Sequence, residues 1–234
     1  LRYASESTRR REGEAAGYII WMGNEPFPNP CNTSVLEFDN TTPKPAYYAL
    51  QNAYSNLFAS LRYDTVCYPA GSSFHAEAYL HDILGAGAAV DVTVLDGAGK
   101  ELFHMAQDCR EKGVRKIGDI DFIVPSCEKN LFFVRLSING VLNNQYIFNV
   151  GSEKPFGALR ALADTTVTAK RQDIPGEEIL LSNDSDTPAV GILLTGDGAV
   201  SPNYITLLPG EKRAVSAKGT VTLHGYNLLK PITL

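Results

Sequence analysis

Residues 16–28 read Ala16-Gly17-Tyr18-Ile19-Ile20-Trp21-Met22-Gly23-Asn24-Glu25-Pro26-Phe27-Pro28, and the fold turns on the stretch that ends at Trp21. Ala16 to Trp21 is a short apolar run without polar alternation. It follows Leu1 to Arg11, a segment with few β-branched residues that predicts a helix ended by Gly13. A continuous apolar run after a helix predicts a strand buried on both faces, as in a parallel sheet. Gly23 to Pro45 is rich in Pro, Asn and Thr and predicts a long loop. Pro45 suits the first position of a helix. Tyr47, Leu50, Tyr54, Leu57 and Phe58 then follow as one apolar stripe at helical spacing. Helix, buried strand, long loop and helix is the order of the last repeat of an α/β barrel or doubly wound sheet, which cannot fold usefully alone. Residues 1–58 are assigned to that remnant.

The texture changes after residue 58. Phe74, Ala76, Ala78 and Leu80 alternate on one face, and so do Val90, Val92 and Val94. Asp96-Gly97-Ala98-Gly99 reads as a hairpin turn before Leu102-Phe103. Ile120, Phe122 and Val124 continue the pattern, then Phe132, Val134, Leu136 and Ile138, then Tyr146, Phe148 and Val150. About seven short strands over residues 59–151 predict an immunoglobulin-like β-sandwich. Gly151 to Gly157 reads as a junction. Residues 152–234 are assigned to a second, smaller sandwich, with strands near 162–169, 178–182, 190–194, 205–208, 213–216 and 221–226. Its turns fall at Pro175-Gly176, Asn183 to Asp186, Gly196-Asp197-Gly198 and Pro209-Gly210-Glu211. The fold class is thus mainly β: two immunoglobulin-like sandwiches preceded by a short α/β barrel remnant.

Composition sets the outer bounds. The 234 residues are 44% hydrophobic and 20% charged, an ordinary globular balance. Net charge is -5 and no basic stripe runs along the chain, so no nucleic-acid partner is expected. The short cluster Arg9-Arg10-Arg11-Glu12 reads as a solvated helix end. No run of about 18 apolar residues occurs, so no membrane span is expected. The chain starts Leu1-Arg2-Tyr3, without methionine and inside a predicted helix, as a fragment of a longer protein would. Cys31, Cys67, Cys109 and Cys127 contain no CxxC pair, which argues against structural zinc. Their disulfide state stays open, with free thiols favoured.

The segment Gly17 to Pro28 resembles the last barrel strand of glycoside hydrolase family 2, where the β-mannosidase branch carries Gly-x-x-x-Trp-x-x-Asn-(Asp/Glu)-x-x-Pro. Phe38-Asp39 and Lys44-Pro45-Ala46-Tyr47-Tyr48-Ala49 are similar to the loop and final helix that follow it. Val200 to Ile205 and Leu207-Leu208-Pro209-Gly210-Glu211 look like the terminal sandwich of the same branch. The resemblance implies a (β/α)8 barrel flanked by β-sandwiches. It also implies two catalytic glutamates, an acid/base after the fourth barrel strand and a nucleophile after the seventh. Retaining hydrolysis needs both carboxyls about 5–5.5 Å apart. This chain begins near the helix before the eighth strand, so both would lie upstream and the chain alone should be inactive. The implied partners are the upstream barrel and sandwich domains and a carbohydrate substrate. The implied location is secreted, periplasmic or lysosomal.

Individual residues fit that frame. Trp21 falls at the carboxy end of the expected barrel strand, where barrel active sites are built. Its indole suits the apolar face of a sugar ring; the competing reading is a core tryptophan under the proline-rich loop. Asn24 is the second substrate-side candidate, although it would equally serve to hold the loop. Glu25 has no partner carboxylate at recognisable spacing and reads as a loop-fixing residue. His75, His81, His104 and His224 are isolated and read as surface or satisfied sheet histidines, so no metal or cofactor is expected. No Gly-x-Ser-x-Gly elbow is present. Asn32-Thr33-Ser34, Asn40-Thr41-Thr42 and Asn183-Asp184-Ser185 match the glycosylation sequon, which counts only in a secreted eukaryotic setting.

Two other functions fit the same sequence. One is a carbohydrate-binding module in which a sandwich grips polysaccharide through Tyr63, Tyr68, Tyr79, Tyr146, Tyr204 or Tyr226. The other is an immunoglobulin-like adhesion or interaction protein, against which the α/β segment argues. Without a barrel, Ile19, Ile20, Tyr47, Leu50 and Tyr54 lose their partners. The surface should then collapse on a sandwich, stay disordered or pair two copies.

Overall fold

A computed structural model of the chain describes residues 1–28, 33–151, 154–172, 178–196 and 198–234. Cys31, the first sequon's Asn32 and the expected turn at Pro175-Gly176 lie outside the described residues, as do part of the junction and of the Gly196-Asp197-Gly198 turn.

Two helices open the chain, α1 (Arg2–Arg10) and α2 (Pro45–Ala53). Eight strands follow: β1 (Leu57–Arg62), β2 (Cys67–Tyr68), β3 (Ser73–Asp82), β4 (Ala88–Asp96), β5 (Glu101–Cys109), β6 (Gly113–Ile123), β7 (Leu131–Ile138) and β8 (Val141–Val150). They form one sheet in the order β1-β3-β6 and another in the order β2-β8-β7-β4-β5. The sheets close over a core that includes Leu61, Phe74, Leu80, Val92, Ile120, Phe132, Leu136 and Phe148. Every second residue of β4 is buried, as alternation requires. The hairpin turn after β4 is held by Asp96, whose Oδ1 accepts from the Ala98 and Lys100 amides at 2.9 Å. Gly97 is obligatory there because a Cβ would lie 2.2 Å from the Glu128 carbonyl oxygen.

A short helix α3 (Gly157–Arg160) leads to the second β unit. Its strands are β9 (Thr168–Arg171), β10 (Glu178–Ser182), β11 (Ala189–Gly196), β12 (Val200–Ser201), β13 (Ile205–Leu207), β14 (Lys212–Ala217), β15 (Val221–His224) and β16 (Ile232–Thr233). The sheet orders are β12-β14-β10-β9 and β13-β11-β15-β16. Ile179, Leu181, Ile192, Leu194, Leu207, Val215 and Leu223 fill the space between them. The strand expected over 162–169 begins only at Thr168.

The two β units are joined by packing as well as by chain. On β7, Phe132, Val134 and Leu136 face the first core. Leu131 and Phe133, on the opposite face, pack with Ala158 and Leu208. Leu131-Phe132-Phe133-Val134 is therefore apolar without alternation because both faces of the strand are covered. Arg135 adds a forked ion pair to Glu211, with Nη2 to Oε2 at 2.7 Å and Nη1 to Oε1 at 3.3 Å.

The amino-terminal segment corrects three expectations. The buried strand at 16–21 is absent: residues 15–20 carry no secondary structure, and Ile19 is 95% exposed. A strand takes its hydrogen bonds from neighbours, and among the described residues none lies alongside. The stripe also breaks. Leu50 and Ala53 are buried, Tyr47 and Tyr54 are exposed, and Leu57 and Phe58 belong to β1 rather than to the helix. Finally, the arginine cluster is not simply solvated. Arg9 donates to the Ser55 carbonyl at 2.8 Å and to that of Ala53, and Arg10 to Ser60 Oγ and the Leu61 carbonyl at 3.3 and 3.2 Å.

Candidate functional site

Helix α1 is seated on the first sandwich by a buried polar cluster. Glu6, 1% exposed, accepts from Tyr146 Oη at 2.9 Å, Asn144 Nδ2 at 3.1 Å and Arg2 Nε at 3.1 Å. Tyr146 Oη in turn accepts from the Leu61 amide and Asn144 Nδ2, both at 2.9 Å. Burial, then the Glu6 charge, push the Tyr146 phenol well above its ordinary range, so it stays protonated and donates. Sequence reading missed this cluster. The available signal was the spacing Arg2, Glu6, Arg10, which lines three charges along one side of α1. Behind it lies a second buried polar pair. His81 Nε2 meets Ser60 Oγ at 2.8 Å, and the buried His81 Nδ1 has no hydrogen-bond partner among the described residues. Burial, with Arg9 and Arg10 nearby, holds the imidazole down to a pKa of about 3.

From this seat the chain runs out through Tyr18, whose hydroxyl donates to Ser5 Oγ at 2.6 Å and whose ring stacks on Tyr54 with centroids 6.4 Å apart. Then come Ile19, Ile20 and Trp21, and the bond from Trp21 to Met22 is cis. The indole is 76% exposed, so Trp21 is not a core tryptophan in this chain. Among the described residues no aromatic ring packs on it.

The following loop is built around a buried charge. Glu25, 1% exposed, accepts from Ser34 Oγ at 3.1 Å and pairs with Lys44 Nζ, which also donates to Ser34 Oγ at 2.8 Å. The backbone ties Gly23 to Leu36 at 2.9 Å and Val35 to Lys44 at 3.0 Å. At the tip, Asp39 gathers the Thr41 and Thr42 amides and the Thr42 hydroxyl, whose hydrogen bonds lower its carboxyl to about 2. Glu25 therefore sits beneath the loop. Asn24 lies on its outer side, where its Nδ2 donates to the Glu25 carbonyl at 3.1 Å. Trp21, Asn24 and Phe27 thus come within one exposed segment, next to a loop that exposes Phe38. Such a surface can stack on an apolar ring face and offer an amide to a hydroxyl.

Other chemistry is sparse. Among the described residues no group of three or more His, Cys, Asp or Glu is placed to hold a metal ion. Cys67, Cys109 and Cys127 are free thiols, and burial pushes Cys127 up to about 11. His75 and His104 face Asp121 and Asp91 at the surface, at 2.7 and 3.6 Å. Among the described residues no helix is long and apolar enough to cross a membrane.

With this geometry in hand, the chain can be set beside known proteins. No family model matches it, and no curated protein matches it in sequence. Its fold is nevertheless that of part of certain glycoside hydrolases. β-D-mannosidase from Dictyoglomus thermophilum superposes with a TM-score of 0.70 at 18% identity, over 97% of this chain and 28% of that one. The exo-chitosanase of Amycolatopsis orientalis superposes with a TM-score of 0.67 at 15% identity, over 100% of this chain and 33% of that one. The chain thus spans about a third or less of those proteins.

Proposed function

We propose that this chain is the carboxy-terminal accessory region of a retaining β-glycoside hydrolase of family 2, closest in kind to the β-mannosidase branch. The observation that carries this reading is the superposition of nearly the whole chain on part of a β-mannosidase. The Gly17 to Pro28 motif supports it as well: Ile19, Trp21 and Phe27 in it are apolar yet exposed. In the assembled enzyme, upstream strands would flank residues 16–21, and Trp21 and Asn24 would face the sugar. The two catalytic carboxylates would come from the upstream barrel, and the sandwiches would brace it. The buried Glu25, paired with Lys44, serves the loop and not the chemistry. On this reading the enzyme acts on β-mannoside-like substrates in a secreted, periplasmic or lysosomal setting, and the chain alone is inactive.

The test is direct. The purified chain is incubated with aryl β-D-mannoside and aryl β-D-glucosaminide, and no turnover is expected. Hydrolysis by the chain that disappears in Glu25→Gln would overturn the proposal, as would an upstream coding sequence with no barrel.

A further inference from the structure

A cavity of about 490 Å³ lies where α1, α2, the start of β8 and the second β unit meet. Its size is that of a small-molecule site. The wall is pre-formed. Asn203 Nδ2 donates to Tyr48 Oη and to the Leu194 carbonyl, both at 2.9 Å, while its Oδ1 takes the Leu194 and Tyr204 amides at 2.9 Å. Tyr204 is held at φ +54, a conformation that non-glycine residues adopt only when their surroundings enforce it. Asn52 bonds across to the Asn143 carbonyl at 2.9 Å. Neutral hydroxyl and amide groups therefore supply most of the polar side chains on a wall that is otherwise apolar.

One charge in it has no ion pair at contact distance among the described residues. Arg213 lines the cavity, and its single hydrogen bond among the described residues is from Nη2 to the Leu142 carbonyl at 3.3 Å. A guanidinium has five N–H donors. Its neighbour Glu211 is occupied by Arg135 and by the Leu208 amide. The other charges on the wall, Arg2 and Glu6, answer each other. Burial lowers the Arg213 pKa, and Arg135 adds to that, against the opposing pull of the Glu211 carboxylate, whose oxygens are taken up by Arg135 and the Leu208 amide.

We propose that this cavity binds a monosaccharide-sized hydroxy-carboxylate of the uronic-acid type, with Arg213 forking onto the carboxylate and Tyr48, Asn52 and Tyr204 meeting hydroxyls. Arginine suits the role because its planar fork matches a carboxylate. The site stands apart from the sugar-facing segment proposed above, since neither Trp21 nor Asn24 lines it.

The experiment is calorimetric titration of the chain with D-glucuronate, D-glucose and acetate. Saturable glucuronate binding is expected, with glucose and acetate each about tenfold weaker or more, because each lacks half of the recognised chemistry. Arg213→Gln should weaken glucuronate binding about tenfold or more at unchanged far-UV dichroism. Ser201→Asp, an exposed position on the wall, adds a like charge and should weaken it too, which keeps the test alive if Arg213→Gln does not fold. The proposal is overturned by absence of saturable glucuronate binding at millimolar concentration, by glucose binding as tightly as glucuronate, or by affinity that is the same in either folded variant.

Discussion

Acidification should loosen this fold through one residue. His81 is fully buried, touches Ser60 Oγ at 2.8 Å and lies against Phe58 with ring centroids 5.1 Å apart. Burial first, then Arg9 and Arg10, depress its pKa to about 3 in the folded chain, against about 6.5 in the unfolded one. Between those values the unfolded state binds a proton that the folded state refuses, so stability falls as pH falls. The loss from pH 8 to pH 5 is then about 2 kcal/mol, and by pH 3 about 4 kcal/mol. His75 works in the opposite direction, because its hydrogen bond to Asp121 raises its pKa, but that pair is exposed and screened. The assay is urea unfolding at pH 8, 6 and 5 for the wild-type chain and His81→Gln. The wild type should lose stability in steps that the variant does not share. Identical pH dependence of the two proteins, or an NMR titration placing folded His81 above pH 6, would refute the reasoning. An acidic setting is therefore unfavourable to this fold.

Glu6→Ala should cost about 3–5 kcal/mol by chemical denaturation, because it strands Arg2 and the buried Tyr146 hydroxyl. Phe133→Ala, at the junction of the two β units, should cost a similar amount, about 3–5 kcal/mol, and separate their melting transitions. Gly97→Ala should cost about 1–3 kcal/mol through its clash with the Glu128 carbonyl, while Gly99→Ala, in open space but at φ +88, should lose about 1–2 kcal/mol through backbone strain alone. Trp21→Ala should leave the stability of the chain within about 0.5 kcal/mol yet raise KM in a full-length enzyme; destabilisation of the chain alone would show that the indole is structural.

The sandwich strands were legible because alternation is a local property: Val90, Val92 and Val94 point inward whatever lies beyond the sheet. The α2 start at Pro45 and the turn at Asp96 were legible for the same reason. What could not be read were features that depend on contact between distant segments. Glu6 looks like any helix-surface glutamate until Tyr146, 140 positions later, closes over it. His81 looks like a strand-end histidine until α1 covers its face of the sheet. The cavity wall draws on Tyr48, Asn143 and Asn203, which share no motif. At the candidate sugar-facing segment, the identity of Trp21 and Asn24 could be read from the motif, but not their exposure, which depends on what flanks them.

That exposure has a physical explanation in how the three amino-terminal elements satisfy their backbones. A helix closes its hydrogen bonds within itself, so α1 and α2 need only side-chain anchors, and they have them: Glu6 to Tyr146 and Asn144, Arg9 to Ser55, Asn52 to Asn143. A strand closes its hydrogen bonds only on its neighbours, and no side-chain anchor can replace them. Residues 16–21 carry the apolar content of a strand with neither the polar alternation nor the charges that would suit water. Held at one end by the Tyr18–Ser5 bond and at the other by the Glu25–Lys44 pair, they are fixed in place yet unpaired along their length. The same division of labour explains why both helices pack on the first sandwich while the stretch between them presents Ile19 and Trp21 to solvent.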